Sequence, residues 1–179
     1  MRVISGSARG KKLQCVEGID IRPTLDRVKE SVFNMIAFDI PDTCVLDLFS
    51  GSGALGIEAL SRGAKHCVFV DSSSKSISVT KKNITDTRFD DYSDVVTSDS
   101  IEYINKTNKK FDLIFIDPPY ESDLYEKSLS AIKSSNILNP DGMIVLEYDT
   151  EITPDFKTDG FEIIKDKKYG RVKILIMKE

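Results

Sequence analysis

The stretch VLDLFSGSGALG, residues 45–56, decides the fold, because an apolar segment runs directly into a glycine-rich turn and a helical pattern follows. Gly51 and Gly53 permit a tight turn and a close approach of the backbone to a ligand, whereas Gly56 permits close packing of the helix on the strand. A strand, a turn of this kind and a helix are the opening unit of an α/β sheet.

The next apolar segment, HCVFV at residues 66–70, predicts a second strand that ends at Asp71. Asp71 follows Gly51 by 20 residues, the spacing at which an acidic side chain reaches the hydroxyls of a ribose. The order of strand, glycines, helix, strand and acid therefore predicts an adenosine-bearing cofactor. The residues expected to bind it are Asp47, Phe49, Ser50, Gly51, Gly53, Asp71, Ser72, Asp99 and Ser100.

A second motif, Asp117-Pro118-Pro119-Tyr120, follows the run FDLIFI at residues 111–116, which predicts a buried strand. Neither proline has the N–H that a central strand needs, so the strand must stop there, at the edge of the sheet where ligands bind. An acid, a stiff backbone carbonyl and a flat ring can together hold a planar group that carries an amine. Asp117, Pro118, Pro119 and Tyr120 are therefore the candidate catalytic residues.

Two classes of enzyme compete for such a pocket. A nicotinamide dehydrogenase would need a second substrate domain and an acid/base group, but the chain has 179 residues and one histidine, His66, at the start of the second strand. A methyltransferase that uses S-adenosylmethionine needs no metal, histidine or nucleophile, and Asp47 can face the ammonium group of that cofactor. The residues favour methyl transfer without a metal.

The chain carries a net charge of −4 and is 40% hydrophobic, which is typical of one domain with a sizeable core. No apolar run approaches the length of a membrane span, and no charged-then-apolar leader is present. We therefore expect a cytoplasmic monomer with a single methyltransferase domain. Residues 1–40 would form a basic hairpin and helix extension, and residues 41–179 the catalytic sheet core.

The charge is unevenly distributed. Residues 1–30 contain seven Lys and Arg against four Asp and Glu, a net charge of +3 that leaves −7 for the remainder. A basic head on an acidic body indicates a localised contact with an anionic partner, and an ordinary solvated face is the alternative.

Alternating strand and helix patterns fill the middle of the chain, and a hairpin that turns at Gly170 ends it. This order predicts an α/β fold with a mostly parallel sheet, one antiparallel strand and helices on both faces. Residues 2–4 and 12–15 predict a small N-terminal hairpin, Thr24 is expected to cap the helix that follows it, and residues 139–142 predict a turn.

Four segments together resemble the RsmD-type 16S ribosomal RNA guanine-N2 methyltransferases. They are the glycine pattern of residues 6–13, RPTLDRVKE at 22–30, DLFSGSGALG at 47–56 and DPPY at 117–120, with Ser50 standing where alanine is common. The resemblance covers nearly the whole chain. It implies a Rossmann-like class I methyltransferase fold with a seven-stranded sheet, S-adenosylmethionine as donor (S-adenosylhomocysteine as product), and a guanine of small-subunit ribosomal RNA as acceptor.

The expected chemistry is that of an exocyclic amine, which is a poor nucleophile until acceptors hold its N–H groups. Asp117 and the backbone carbonyl of Pro118 would accept them, Tyr120 would stack on the flipped base, and Asp117 or solvent would take the proton. Adenine-N6 methylation of RNA or DNA is the alternative within the class, since it can use the same four residues. A cofactor-binding RNA-assembly factor is the alternative outside enzymes.

Under the resemblance, the basic head is the expected contact with RNA. The expected RNA-binding residues are Arg9, Lys11, Lys12, Arg22 and Arg27, and Lys168, Tyr169 and Arg171 are a candidate second anchor. Arg22 and Arg27 could instead pair with carboxylates near the cofactor. Because the basic patch is small, we expect the substrate to be an assembled or assembling 30S particle.

Overall fold

The computed structural model of the protein describes residues 1–16, 23–119, 123–150 and 157–179. The helices are α1 (Pro23–Met35), α2 (Ala54–Ser61), α3 (Ser74–Thr87), α4 (Ser100–Lys106) and α5 (Leu124–Ser135), with a single 3₁₀ turn at Asp90–Tyr92. The strands are β1 (Cys44–Asp47), β2 (His66–Asp71), β3 (Ser93–Thr97), β4 (Phe111–Ile116), β5 (Leu138–Asp149), β6 (Glu162–Tyr169) and β7 (Val172–Lys178). In these ranges, no helix has the length and apolar character needed to cross a membrane.

The seven strands form one sheet in the order β3-β2-β1-β4-β5-β7-β6. The strands β3, β2, β1, β4 and β5 are parallel to one another, whereas β7 is antiparallel to both β5 and β6. The predicted seven-stranded, mostly parallel sheet with an antiparallel strand from the C-terminal hairpin is therefore confirmed. The chain reverses its winding between β1 and β4, and ligands bind at such a switch point, beyond the C-terminal ends of the strands.

Side chains of the central strands alternate between two cores, as the period of a strand requires. Val45 and Phe115 point into a core built with α1, α2 and α3, where Phe33 packs on Phe115 with ring centroids 5.5 Å apart. Leu46 and Ile116 point into the opposite core, built with α4 and α5. This alternation fixes the face on which each residue at the end of a strand lies.

The N-terminal segment is tied to α2 by one buried acid. Glu58 is fully buried and accepts the backbone N–H groups of Ile4 (2.8 Å) and Ser5 (3.0 Å). Its carboxylate also pairs with Lys29 of α1 at 3.4 Å and with Arg62 at 2.8 Å. Desolvation lowers the pKa of the Lys29 ammonium, although the charge of Glu58 acts in the opposite direction. Glu58 therefore joins the N-terminal segment, α1 and α2 through backbone hydrogen bonds and ion pairs that are largely removed from water.

Three local predictions need correction. The N-terminal hairpin reduces to a single antiparallel bridge between Arg2 and Lys12. The first helix begins at Pro23, so Thr24 lies within the helix and not at the position before it; proline fits the first helical position because the N–H it lacks has no partner there. The turn predicted at 139–142 is a bulged part of β5, which begins at Leu138.

Candidate active site

Four carboxylates form a row along the C-terminal edge of the sheet. In the order of their strands they are Asp71 at the end of β2, Asp47 at the end of β1, Asp117 directly after β4, and Glu147 near the end of β5. The alternation of the strands directs all four toward the side occupied by α1, α2 and α3. Electrostatic coupling joins Asp47 to Asp71 and Asp117, and Asp117 to Glu147, so the four groups are neighbours.

The glycine-rich loop connects β1 to α2 as predicted. Gly51 and Gly53 have φ values of 54° and 79°, a region that glycine enters without strain, and the N–H of Gly53 donates to Ser50 O at 2.6 Å. A Cβ on Gly56 would lie 2.3 Å from Phe69 Cε1, so only glycine permits this approach of α2 to β2. The predicted tight turn at Gly51 and Gly53 and the predicted close packing at Gly56 are confirmed.

Two polar side chains of α3 donate hydrogen bonds to backbone carbonyl groups of this loop. Thr80 Oγ1 donates to Gly51 O at 2.9 Å, and Asn83 Nδ2 donates to Ser52 O at 2.8 Å. The same Asn83 accepts the N–H of Gln14 at 2.8 Å and donates to its carbonyl at 2.9 Å. One buried amide therefore connects the glycine-rich loop to Gln14 of the N-terminal segment, a link that no pattern in the sequence indicated.

The two acids at the ends of β1 and β2, Asp47 and Asp71, are already hydrogen-bonded to the backbone. Asp71 accepts the N–H groups of Gly51 and Ser73, both at 2.8 Å, through different oxygens, and each oxygen keeps a lone pair for a further donor. Asp47 is buried and accepts the N–H of Gly56 at 3.0 Å. Burial, reinforced by the charges of Asp117 and Asp71, raises the pKa of Asp47 to about 7, although the Gly56 hydrogen bond acts the other way.

The remaining predicted cofactor residues lie around the same edge. Ser50 is buried, and its hydroxyl has no hydrogen-bond partner among the described residues. Asp99 caps α4 by accepting the N–H of Glu102 at 2.9 Å, and Ser100 is the buried first residue of that helix. Phe49 is partly buried between the loop and the core, and Ser72 is exposed just after Asp71.

On the other side of the row, Asp117 and Glu147 are partly buried. Neither makes a hydrogen bond or an ion pair with any residue that the structure describes. Desolvation, together with the charge of Glu147, raises the pKa of Asp117 well above 3.8, and desolvation raises the pKa of Glu147 to about 7. Pro118 is buried and Pro119 exposed, whereas Tyr120 lies outside the described residues.

Glu147 was not among the predicted site residues. The signal that could have revealed it is a charged residue late in the otherwise apolar run MIVL, residues 143–146, in a strand expected to be buried. Only the sheet order, which makes β5 the neighbour of β4, brings this residue beside Asp117.

Comparison with known proteins identifies the family. The model of a family described as "Conserved hypothetical protein 95" matches residues 1–178. The chain belongs to this family. A member from Haemophilus influenzae, named "Ribosomal RNA small subunit methyltransferase D", is 33% identical over 175 residues, which are 96% of this chain and 90% of that protein. The RsmD-type resemblance that the four sequence segments carry is thereby confirmed.

Other relatives of the family match over their full length. A Bacillus subtilis protein named "Putative rRNA methyltransferase YlbH" is 40% identical over 182 residues, which are 100% of this chain and 99% of that protein. A solved Escherichia coli structure described as "Putative methyltransferase yhhF" superposes with a TM-score of 0.88 at 29% identity, over 99% of this chain and 96% of the other. The predicted class I methyltransferase fold is confirmed.

The described basic residues at the start of the chain are accessible. Arg9, Lys11, Lys12 and Arg27 are exposed, and Arg27 makes no ion pair with the described residues. Arg22 lies outside them. In the candidate second anchor, the hydroxyl of Tyr169 is hydrogen-bonded to Ser31 and Arg171 pairs with Asp149 at 3.0 Å, while Lys168 is exposed; the first two side chains thus already have structural contacts.

Proposed function

We propose that this protein transfers a methyl group from S-adenosylmethionine to the exocyclic N2 of a guanine in small-subunit ribosomal RNA. The observation that carries the proposal is the carboxylate row, which spans the switch point of the sheet and continues from the glycine loop to the Asp117 motif. Family membership supports it, because relatives of the chain are named as methyltransferases of small-subunit ribosomal RNA.

The residues of the cofactor side fit S-adenosylmethionine. Its sulfonium and ammonium groups are cationic, and they complement an edge lined by Asp47, Asp71 and Asp117. A dinucleotide with a pyrophosphate would meet repulsion from the same carboxylates. We assign Asp71 to the ribose hydroxyls, Asp47 to the ammonium, and Asp99 with Ser100 to the adenine end. The buried hydroxyl of Ser50 is a further polar group in the loop without a partner among the described residues.

The acceptor side holds and orients the amine. S-adenosylmethionine supplies a methyl group on sulfur that is already activated for displacement, so alignment of the acceptor contributes much of the catalysis. Asp117 and the backbone carbonyl of Pro118 would accept the two N–H groups, which aims the nitrogen lone pair at the methyl group. Tyr120 is proposed to stack on the base, a contact worth ~1–3 kcal/mol.

The exposed basic residues of the head are proposed to position the RNA through its phosphates. Arg9, Lys11 and Lys12 lie on the segment that Glu58 and Asn83 attach to the catalytic body. Contacts of this kind make binding dependent on salt but do not read the sequence. The head is small and the body acidic, so an assembled or assembling small-subunit particle is the proposed substrate.

Mass mapping of ribosomal RNA nucleosides tests the function. Particles from cells that lack the protein should contain one guanine without an N2 methyl group, and the purified protein with S-adenosylmethionine should restore it. The same assay with naked ribosomal RNA should give much less product than with particles. Restoration of N6-methyladenine in place of N2-methylguanine would refute the guanine assignment, and equal methylation of RNA and particle would refute the assignment of the substrate.

The affinity for S-adenosylmethionine should depend on pH through Asp47. The pKa of this acid is raised to about 7, and a cationic ligand favours its ionised form. Binding should therefore be strongest above pH 7 and weaken by up to about tenfold per pH unit below it. Asp47→Asn should lower the affinity at pH 8 by about 10- to 100-fold and flatten this profile.

Isothermal calorimetry at several pH values, with NAD as a second ligand, measures these effects. Asp39→Asn provides the matched control, because Asp39 is exposed between α1 and β1 and is not one of the site residues, and it should leave the profile unchanged. A profile of Asp47→Asn that parallels the original, or preferential binding of NAD, would contradict the assignment of Asp47 to the ammonium.

A further inference from the structure

Glu147 stands at the end of the carboxylate row farthest from the cofactor side. The sheet order places β5 next to β4, and the register pairs Leu146 with Ile116, so Glu147 and Asp117 follow side by side on neighbouring strands. Asp71 and Asp47 lie at the opposite end of the row, on β2 and β1. A group bound at Asp117 on the side away from Asp47 would therefore lie beside Glu147.

Glu147 lacks the contacts that structural acids of this protein have. Glu58 receives two backbone N–H groups and two cations, and Asp112 receives the N–H of Cys44 at 2.7 Å and the amide of Asn139 at 2.7 Å. Glu147 has no such partner in the described part of the chain. A carboxylate that is partly desolvated and unpaired is unfavourable for stability, which points to donors supplied by a ligand.

We propose that Glu147 selects guanine, its carboxylate accepting the N1–H of the base whose N2 amine is held by Asp117. The inference rests on the proposed function. Guanine presents N1–H and N2–H donors side by side on its Watson–Crick edge, and two adjacent carboxylates are their complement. Adenine presents a lone pair at N1, which the carboxylate repels when it is ionised, above its pKa of about 7. The pair would thus favour guanine by attraction and reject adenine by repulsion.

The proposed hydrogen bond between Glu147 and N1–H takes no part in the bonds that break and form during methyl transfer. The carbon–sulfur bond breaks with its electron pair going to sulfur, a carbon–nitrogen bond forms to N2, and N2 then loses one proton to Asp117 or to water. Glu147 keeps N1–H bound throughout and exchanges no atom with the substrate. Its effect is therefore on which base is accepted and how it is oriented, and S-adenosylmethionine binding should be independent of it.

The test compares guanine with 2,6-diaminopurine, which keeps the N2 amine but has an acceptor at N1. After mass mapping has identified the target, particles are reconstituted with either base at that position, and kcat/KM is measured with the original protein and with Glu147→Gln. The original protein should prefer guanine by at least about 100-fold. Glu147→Gln should reduce the preference to within a few-fold, because an amide can both accept from N1–H and donate to an N1 lone pair.

Glu162→Gln is the matched control, since Glu162 is exposed on β6, and it should keep the original preference. Calorimetry with S-adenosylmethionine checks that Glu147→Gln is folded. An unchanged preference in Glu147→Gln would overturn the inference, as would an equal loss of methylation on both bases. In both results the original protein still forms N2-methylguanine, so they are distinct from a failure of the proposed function. If the proposed function failed, the original protein would form no N2-methylguanine, and the inference would fail as well.

Discussion

Replacing Asp117 with alanine is expected to lower the single-turnover methylation rate by about 100-fold or more, with S-adenosylmethionine affinity changed only a few-fold. Asp117 is proposed to contact the acceptor amine, and it makes no hydrogen bond or ion pair within the described structure that its loss would break. The interaction removed is one that holds the reacting nitrogen in line with the methyl group. Rapid-quench measurement with saturating cofactor and particle isolates this step.

Two comparisons make that result specific. Asp123→Ala removes an exposed carboxylate, paired only with Lys127 of the next helical turn among the described residues, and should leave the rate unchanged. Changing Arg9, Lys11 and Lys12 together to alanine should act in the opposite manner, raising the KM for the particle and flattening its salt dependence while the rate at saturation persists. A near-normal rate in Asp117→Ala would mean that another group holds the acceptor.

The sequence predicted those parts of the fold in which one residue type is dictated by geometry. Gly51 and Gly53 adopt positive φ and Gly56 lies against Phe69, so the glycine loop could be located from spacing alone. The prolines after Ile116 likewise marked the end of β4. Element ends without such constraints were less predictable: α3 ends at Thr87 because Arg88, which is not a glycine, adopts the left-handed conformation that closes the helix.

Relations between distant segments were beyond sequence reasoning. Asp47, Asp71 and Asp117 could be proposed from strand ends, because each follows a local motif. Glu147 could not, since its relevance depends on β5 lying beside β4, and no local pattern states that order. Asn83 could not be predicted for the same reason, because its amide joins the glycine loop to Gln14, which is 69 residues away in the sequence.

Replacing Glu58 with alanine is expected to lower the free energy of unfolding by about 3–5 kcal/mol, the largest effect on stability that we predict. The change leaves the Lys29 ammonium in a buried position without its main countercharge and leaves the N–H groups of Ile4 and Ser5 without their acceptor. Urea unfolding followed by circular dichroism measures the loss. Hydrogen exchange should show that protection falls first in residues 2–13, because Glu58 attaches that segment to α2.

Glu102→Ala is the control, because the Glu102–Lys106 pair is exposed on one face of α4, and its loss should cost about 0.5 kcal/mol or less. Replacing Lys29 and Glu58 together with methionine should be less destabilising than Glu58→Ala alone, since the buried ammonium of Lys29 is then removed together with its countercharge. A loss in Glu58→Ala no larger than in Glu102→Ala would show that the buried network does not hold the segment. Given the predicted loss, Glu58→Ala should bind particles weakly yet retain most of its affinity for S-adenosylmethionine, because the acids of the cofactor side are held by β1, β2 and the glycine loop.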